Sequence, residues 1–244
     1  MRKLPRSADQ VIPTAAAGAP SNTNTNNILK AENISIQHTL PTRIADYNLA
    51  MNAAAPTATD FVIRAANNDD VPAILALVEA SVRGLQAHDY SPSQIDASIG
   101  TAFGVDRQLI ADQTYFVVVP RNEPQRLIAC GGWSYRSTLC GSDAMAVTVT
   151  GTARSASVLD CAKDHAKIRA IFVHPDWARR GLGSRLLAHC EAAAQAAGFT
   201  RFEMGSTLTG VPLYTLKGYA EQSRSSVPLP NAESLEVVIM SKTL

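Results

Sequence analysis

No stretch of this chain approaches the ~18 uninterrupted apolar residues that a membrane-spanning helix needs, so a soluble, cytoplasmic protein is expected. Charge of one sign is missing as well. The 22 basic residues stand against 21 acidic ones, a net charge of +1, which leaves no electrostatic footprint for nucleic acid. The four cysteines, Cys130, Cys140, Cys161 and Cys190, include no Cys-x-x-Cys pair, and free thiols in a reducing compartment are expected. Cys161 and His165 would stand one turn apart on a helix, yet no second ligand pair with metal spacing exists, so no metal site is expected. Arg2, Lys3 and Arg6 are followed by no apolar h-region, which argues against a secretory leader.

What is present is apolar mass in an ordered pattern. At 46% hydrophobic and 18% charged over 244 residues, the chain can bury a substantial core. It divides near residue 60. Residues 1 to about 59 are rich in Ala, Asn, Thr and Pro around the low-complexity run Ser21 to Asn27, and a disordered tail is expected there. Residues 60–244 read as one domain.

Within it, Phe61 to Arg64 reads as a strand, followed by a helix capped by Asp69 or Asp70 with Ile74, Leu77 and Val78 as its apolar stripe. Ser91-Pro92-Ser93-Gln94 is a capping box with proline at the first helical position. Tyr115 to Val119 and Leu127 to Trp133 form a hairpin about Asn122 to Gln125. Residues 136 to about 165 read as an inserted loop near the substrate side, before a strand at Ile168 to Val173. A further strand near Phe202, a short helix between Pro212 and Gly218, and two last strands at Tyr219 to Val227 and Leu235 to Lys242 complete seven strands. Leu235 to Lys242 is read as a sheet edge that would permit a homodimer.

The segment Ile171-Phe172-Val173-His174-Pro175-Asp176-Trp177-Ala178-Arg179-Arg180-Gly181-Leu182-Gly183-Ser184 joins the strand to a basic, glycine-rich turn that opens an amphipathic helix. Leu182, Leu186, Leu187, Cys190 and Ala193 share one face of that helix, and Gly198 supplies the left-handed stop. Such a turn is an anion cradle. Glycines let amides approach a phosphate, the helix dipole adds positive field at its N-terminus, and Arg179 and Arg180 add more, so a pyrophosphate is the natural guest.

Val173-His174-Pro175, the Arg179 to Ser184 loop and the later Leu213-Tyr214-Thr215-Leu216-Lys217-Gly218-Tyr219 together resemble, in order and spacing, the GCN5-related N-acetyltransferase (GNAT) superfamily. Ala178 stands where the loop motif begins with Gln or Arg. The resemblance spans roughly residues 61 to 242 and implies an α/β fold of the acyl-CoA N-acyltransferase type, with a mixed central sheet of about seven strands flanked by helices. It implies acetyl-CoA as donor and a primary amine of a small molecule as acceptor. By the same resemblance, the Val-x-Pro strand splays from its neighbour and the backbone of Ile171, Phe172 and Val173 takes the pantetheine arm. Arg179, Arg180, Gly181, Leu182, Gly183 and Ser184 take the pyrophosphate, and Tyr214 acts as general acid toward the thiolate.

No base is evident, because Lys167 and Arg169 stand where relatives carry a carboxylate or histidine. Glu203 is the leading candidate, with Asp164, His165 and Glu79 behind it, and a water relay is equally allowed. Arg169 is read as a fork for an anionic group on the acceptor, with a salt bridge on the sheet as its alternative. Trp133, with Tyr135, is read as lining the acceptor pocket or packing the core. His174 reads as a surface residue, Trp177 as packing under the loop or against the adenine end, and Tyr219 as core. Two alternatives to a small-molecule transferase stand open: a non-catalytic acyl-CoA sensor or scaffold, and a protein or peptide acetyltransferase.

Overall fold

A computed structural model describes residues 61–139, 142 and 157–244. The tail expected over residues 1 to 59, Cys140 and most of the loop expected between 136 and 165 lie outside them. Along the chain run β1 (Phe61–Ala65), α1 (Val71–Leu85), α2 (Pro92–Ser98), α3 (Arg107–Ala111), β2 (Tyr115–Pro120), β3 (Ala129–Ser134), β4 (Ala166–Val173), α4 (Leu182–Ala196), β5 (Arg201–Thr207), α5 (Val211–Leu216), β6 (Ala220–Pro228) and β7 (Ser234–Thr243). The seven strands form one mixed sheet in the order β1-β2-β3-β4-β5-β7-β6. All neighbouring pairs are antiparallel except β4 with β5.

The alternation along the strands explains why both faces are covered. Phe116 and Val118 of β2 join Ile168, Phe202 and Met204 beneath the apolar stripe of α4. Tyr115, Val117 and Val119 point the other way, into a core closed by Ile74, Leu77 and Val78 of α1 and Leu109 of α3. A strand buried on both faces reads as the unbroken apolar run Tyr115 to Val119.

Three details differ from the sequence reading. Asp70 stands at the N-cap position of the first helix, as read, but makes no side-chain cap bond there. Asn67 accepts the amides of Asp69 and Asp70 through a 3-10 turn, and Asp70 returns a bond to the Asn67 amide while its carboxylate takes the Arg64 guanidinium at 2.7 Å. The short helix α3 has no counterpart in the reading; five residues are too few to show a period. Finally, the stretch Leu235 to Lys242 is not an edge. It lies between β5 and β6, because the last two strands form a hairpin whose second arm inserts, and β6 is the exposed edge. The Ser91 capping box, in contrast, stands as read, with Ser91 Oγ accepting the Gln94 amide and Gln94 returning the bond.

Two adjacent glycines set the path of β3. Gly131 lies opposite a bulge in β4, where Arg169 pairs with Gly132 and Phe172 with Cys130, leaving Ala170 and Ile171 opposite one residue. Ala170 takes φ of 54°, and a Cβ on Gly131 would come within 2.8 Å of the Ile171 side chain. A Cβ on Gly132 would overlap the carbonyl oxygen of Thr114, the same oxygen that receives the Trp133 amide. Since that obstacle is backbone, no rotamer change relieves it. Gly132→Ala is expected to cost about 1–3 kcal/mol by overpacking, read as a lowered urea midpoint; an unchanged midpoint would mean that the β2–β3 contact is looser than described.

Candidate functional site

The parallel strands β4 and β5 share only two rungs, Ala166 with Phe202 and Lys167 with Glu203. Beyond Lys167 they part, while β4 keeps its other neighbour β3 as far as Val173 and β5 keeps β7 along its whole length. Each strand therefore turns an unpaired edge toward the fork. Backbone amides and carbonyls there must find partners other than protein strands. The fork opens into a cleft of ≈ 100 Å³ between Ile168 to Phe172 on one side and Met204 to Thr207 on the other, with Tyr214 at its wall.

Its roof is the segment Ala102 to Gly104 between α2 and α3. Phe103 meets Phe172 edge to face at 5.9 Å. The same segment leads into Asp106, whose carboxylate caps α3 by accepting the Gln108 amide and pairs with Nη1 of Arg169 at 2.6 Å. Both side chains are almost completely buried. Arg169 was read as an acceptor-binding fork; it does line the cleft, but its guanidinium is engaged by Asp106 and ties roof to sheet. The salt-bridge alternative describes it.

Two other candidates stand away from the cleft. Glu203 occupies the closed end of the fork, where its carboxylate bonds Nζ of Lys167. It is not among the residues of the cleft wall, so the geometry offers it no acceptor proton to take. Trp133 is fully buried in the core under α4, edge-on to Tyr135 at 6.1 Å and to Phe199 at 5.9 Å, and is not among the residues of the cleft wall. Core packing was the alternative reading and is the one the structure shows.

Tyr214 is different. α5 starts with Val211-Pro212 and brings the ring down beside Ser206, a close approach that Gly210 permits: a Cβ there would stand 2.7 Å from the ring and 2.8 Å from Ser206 Oγ. The ring leans edge-on against Tyr219 at 6.1 Å. Among the described residues its hydroxyl has no hydrogen-bond partner. Burial pushes the phenol well above its ordinary value, with the Cys190 thiol adding in the same direction. Tyr219 is core, as read, and bonds Glu191 at 2.9 Å.

The basic turn is built as an anion cradle. His174 Nδ1 accepts the Asp176 amide and opens a 3-10 turn over Pro175–Trp177, so this histidine is a capping residue. Arg179 and Gly181 then take φ of 64° and 79°, a reversal that starts α4. The first bond inside the helix runs from the Arg185 amide to the Gly181 carbonyl at 3.0 Å, and no side chain caps the terminus. The amides of Gly181, Leu182, Gly183 and Ser184 are thus left without helical partners, which is the donor set a pyrophosphate wants. Arg180 lies over the Trp177 ring at 4.9 Å, with Arg126 at 6.0 Å, so Trp177 packs under the loop. Ile171 and Val173 turn toward the α4 core, leaving their backbone at the fork. These residues fit a CoA-type ligand: amides at one end, an open strand edge along the middle and a buried phenol at the other.

Sequence reasoning missed Asp106, Phe103 and Gln86, all in the cleft or bracing it. Asp106 carried a faint signal, a capping residue before Arg107; the other two carried none. Among the described residues no helix is long and apolar enough to cross a membrane. Ser142 Oγ, from the loop expected on the substrate side, donates to the Thr101 carbonyl beside the roof.

The family model described as Acetyltransferase (GNAT) family matches residues 88–218, more than half of the chain. No curated protein matches. Among solved structures, the GCN5-related N-acetyltransferase "Aminotransferase, Class-II" from Rhodopseudomonas palustris aligns at a TM-score of 0.54 and 19% identity, over 78% of this chain and 100% of its own. The PaiA N-acetyltransferase from Thermoplasma acidophilum, solved with coenzyme A, aligns at 0.50 and 12% identity, over 76% of this chain and 100% of its own. At these identities the likeness is one of fold.

Proposed function

Since the chain belongs to the GNAT acetyltransferase family, we propose that it transfers the acetyl group of acetyl-CoA to the primary amine of a small molecule. The observation that carries this reading is the meeting of an open strand edge, an uncapped glycine-rich helix start and a buried, unpartnered phenol around one cleft. When bound, acetyl-CoA supplies an activated thioester for the amine to attack. In this reading unpaired amides along β4 would polarise its carbonyl, and the Gly181 to Ser184 amides would hold its pyrophosphate. The Tyr214 hydroxyl, kept protonated by burial, would give its proton to the departing sulfur.

Transfer is direct. Cys130 is fully buried, its thiol pushed up to about 12 by desolvation, and Cys190 is raised further by the same cause. Neither is a nucleophile for a covalent acetyl-enzyme. Among the described residues the cleft wall holds no carboxylate or imidazole, and its titratable side chains are Arg169 and Tyr214. The amine is therefore expected to enter neutral or to lose its proton through solvent. The small cleft favours a small acceptor over a protein.

These features predict a pH profile. Without an enzymatic base, kcat/KM for the amine should climb toward the amine's own pKa of roughly 10. Tyr214, raised by burial, keeps its proton over that whole range, so no descending limb should follow from it. Thiol release from acetyl-CoA against a panel of primary amines, from pH 6 to 10, tests both. Binding of acetyl-CoA with no release on any amine would favour the sensor reading, which the lack of a base among the described cleft residues also supports; a plateau near pH 7 would demand a base beyond them.

A further inference from the structure

We propose that Gln86 is the specificity residue that receives the nitrogen of the acceptor, and that this acceptor is a short, straight-chain primary amine. The inference rests on the transferase reading above and deepens it. Gln86 is 6% exposed and is one of the residues lining the cleft. Its Oε1 is buried with no hydrogen-bond partner among the described residues. A buried carbonyl oxygen left unsatisfied is costly. Such a group is retained where something absent from the protein itself completes it.

The backbone around Gln86 is, by contrast, over-determined. Its amide donates to the Val82 carbonyl at 3.1 Å, closing α1, and its carbonyl accepts both the Asp89 and the Tyr90 amides, at 3.0 and 3.1 Å. Tyr90 in turn accepts the Leu208 amide and donates to the Glu236 carbonyl, so the turn is fastened to the exit of β5 and to β7. The carboxamide is thus held at the cleft by a rigid turn with its Oε1 unspent. Of its polar neighbours in the cleft, Arg169 is engaged with Asp106, Ser206 Oγ donates to the Thr207 carbonyl, and the Tyr214 hydroxyl is assigned to the departing sulfur.

The chemistry suits a neutral amine. A carboxylate at this point would favour the ammonium form and so remove the lone pair that must attack. A carboxamide oxygen accepts an N–H of the free amine without that bias, which complements a cleft with no base among its described residues. Flipping about the last side-chain torsion exchanges its oxygen and nitrogen, so either end can face the ligand. Size follows from volume. A cavity of 150 Å³ holds benzene, so ≈ 100 Å³ admits about four heavy atoms, the reacting nitrogen included.

The test uses the full-length chain, straight-chain amines from methylamine to hexylamine, and the variants Gln86→Leu and Gln86→Glu. For Gln86→Leu the expected result is a roughly tenfold higher KM for the amine, with acetyl-CoA affinity unchanged and the melting temperature equal or higher, because an unsatisfied polar group has been removed. For Gln86→Glu the rising limb of kcat, which reports the bound amine, should move about one unit to higher pH. An unchanged amine KM in the first variant and an unmoved limb in the second would overturn the role of Gln86 while leaving the transferase intact. A lowered melting temperature with unchanged KM would make Gln86 purely structural. Failure of the wild type to release thiol with any amine would overturn the transferase reading, and this inference with it.

Discussion

Replacing Tyr214 with phenylalanine is expected to slow acetyl transfer by about 10²–10⁴-fold, the usual worth of a positioned general acid, with acetyl-CoA affinity nearly unchanged. The ring fits its slot by shape: it is 9% exposed, sits against Gly210 and leans on Tyr219, and phenylalanine keeps all of that. What is lost is one hydroxyl that makes no internal hydrogen bond, so folding stability should not fall. Binding calorimetry with CoA and a thiol-release assay separate the two effects. A variant with wild-type turnover would reduce Tyr214 to a packing residue and hand protonation of the sulfur to solvent.

Breaking the pair between Arg169 and Asp106 should have the largest effect on stability. Both side chains are nearly inaccessible, and removing one charged partner strands the other, at a cost of about 3–5 kcal/mol. Arg169→Met is therefore expected to leave the protein largely unfolded or unfolding at much lower denaturant. Asp106→Asn added to it should restore a good part of the loss, since asparagine can still cap α3 and no buried charge remains. Urea denaturation of the two single variants and the double variant measures the coupling. If Arg169→Met lost less than about 1 kcal/mol while amine KM rose sharply, the acceptor-binding reading of Arg169 would return.

That contrast marks where local pattern carries information and where it does not. The glycine-rich turn, the stripe of α4, the Ser91 capping box and the succession of strands along the chain are written within spans of a few residues, and each was readable. Arg169 and Asp106 are far apart along the chain and meet only because α3 folds over the fork. Glu203 looked available because its partner Lys167 belongs to another strand. Trp133 ends a strand in sequence but lies under α4 in space. Strand adjacency is equally non-local: nothing within Leu235 to Lys242 says that it inserts beside β5 and leaves β6 outside. Gln86 shows the same limit, for a glutamine after a helix is unremarkable until its surroundings are known.

The two rungs between β4 and β5 have a consequence for how the molecule coheres. The sheet is a pair of half-sheets, β1 to β4 and β5 to β7, each zipped internally and stitched to the other by two residue pairs, by the helices and by the Tyr90 hydroxyl. A ligand whose arm carries amides, lying along the open edges, supplies rungs that the polypeptide lacks and so acts as a length of missing strand. Occupancy and cohesion then become one quantity, and the gap in the ladder is the place where the fold was left unfinished for its substrate to complete.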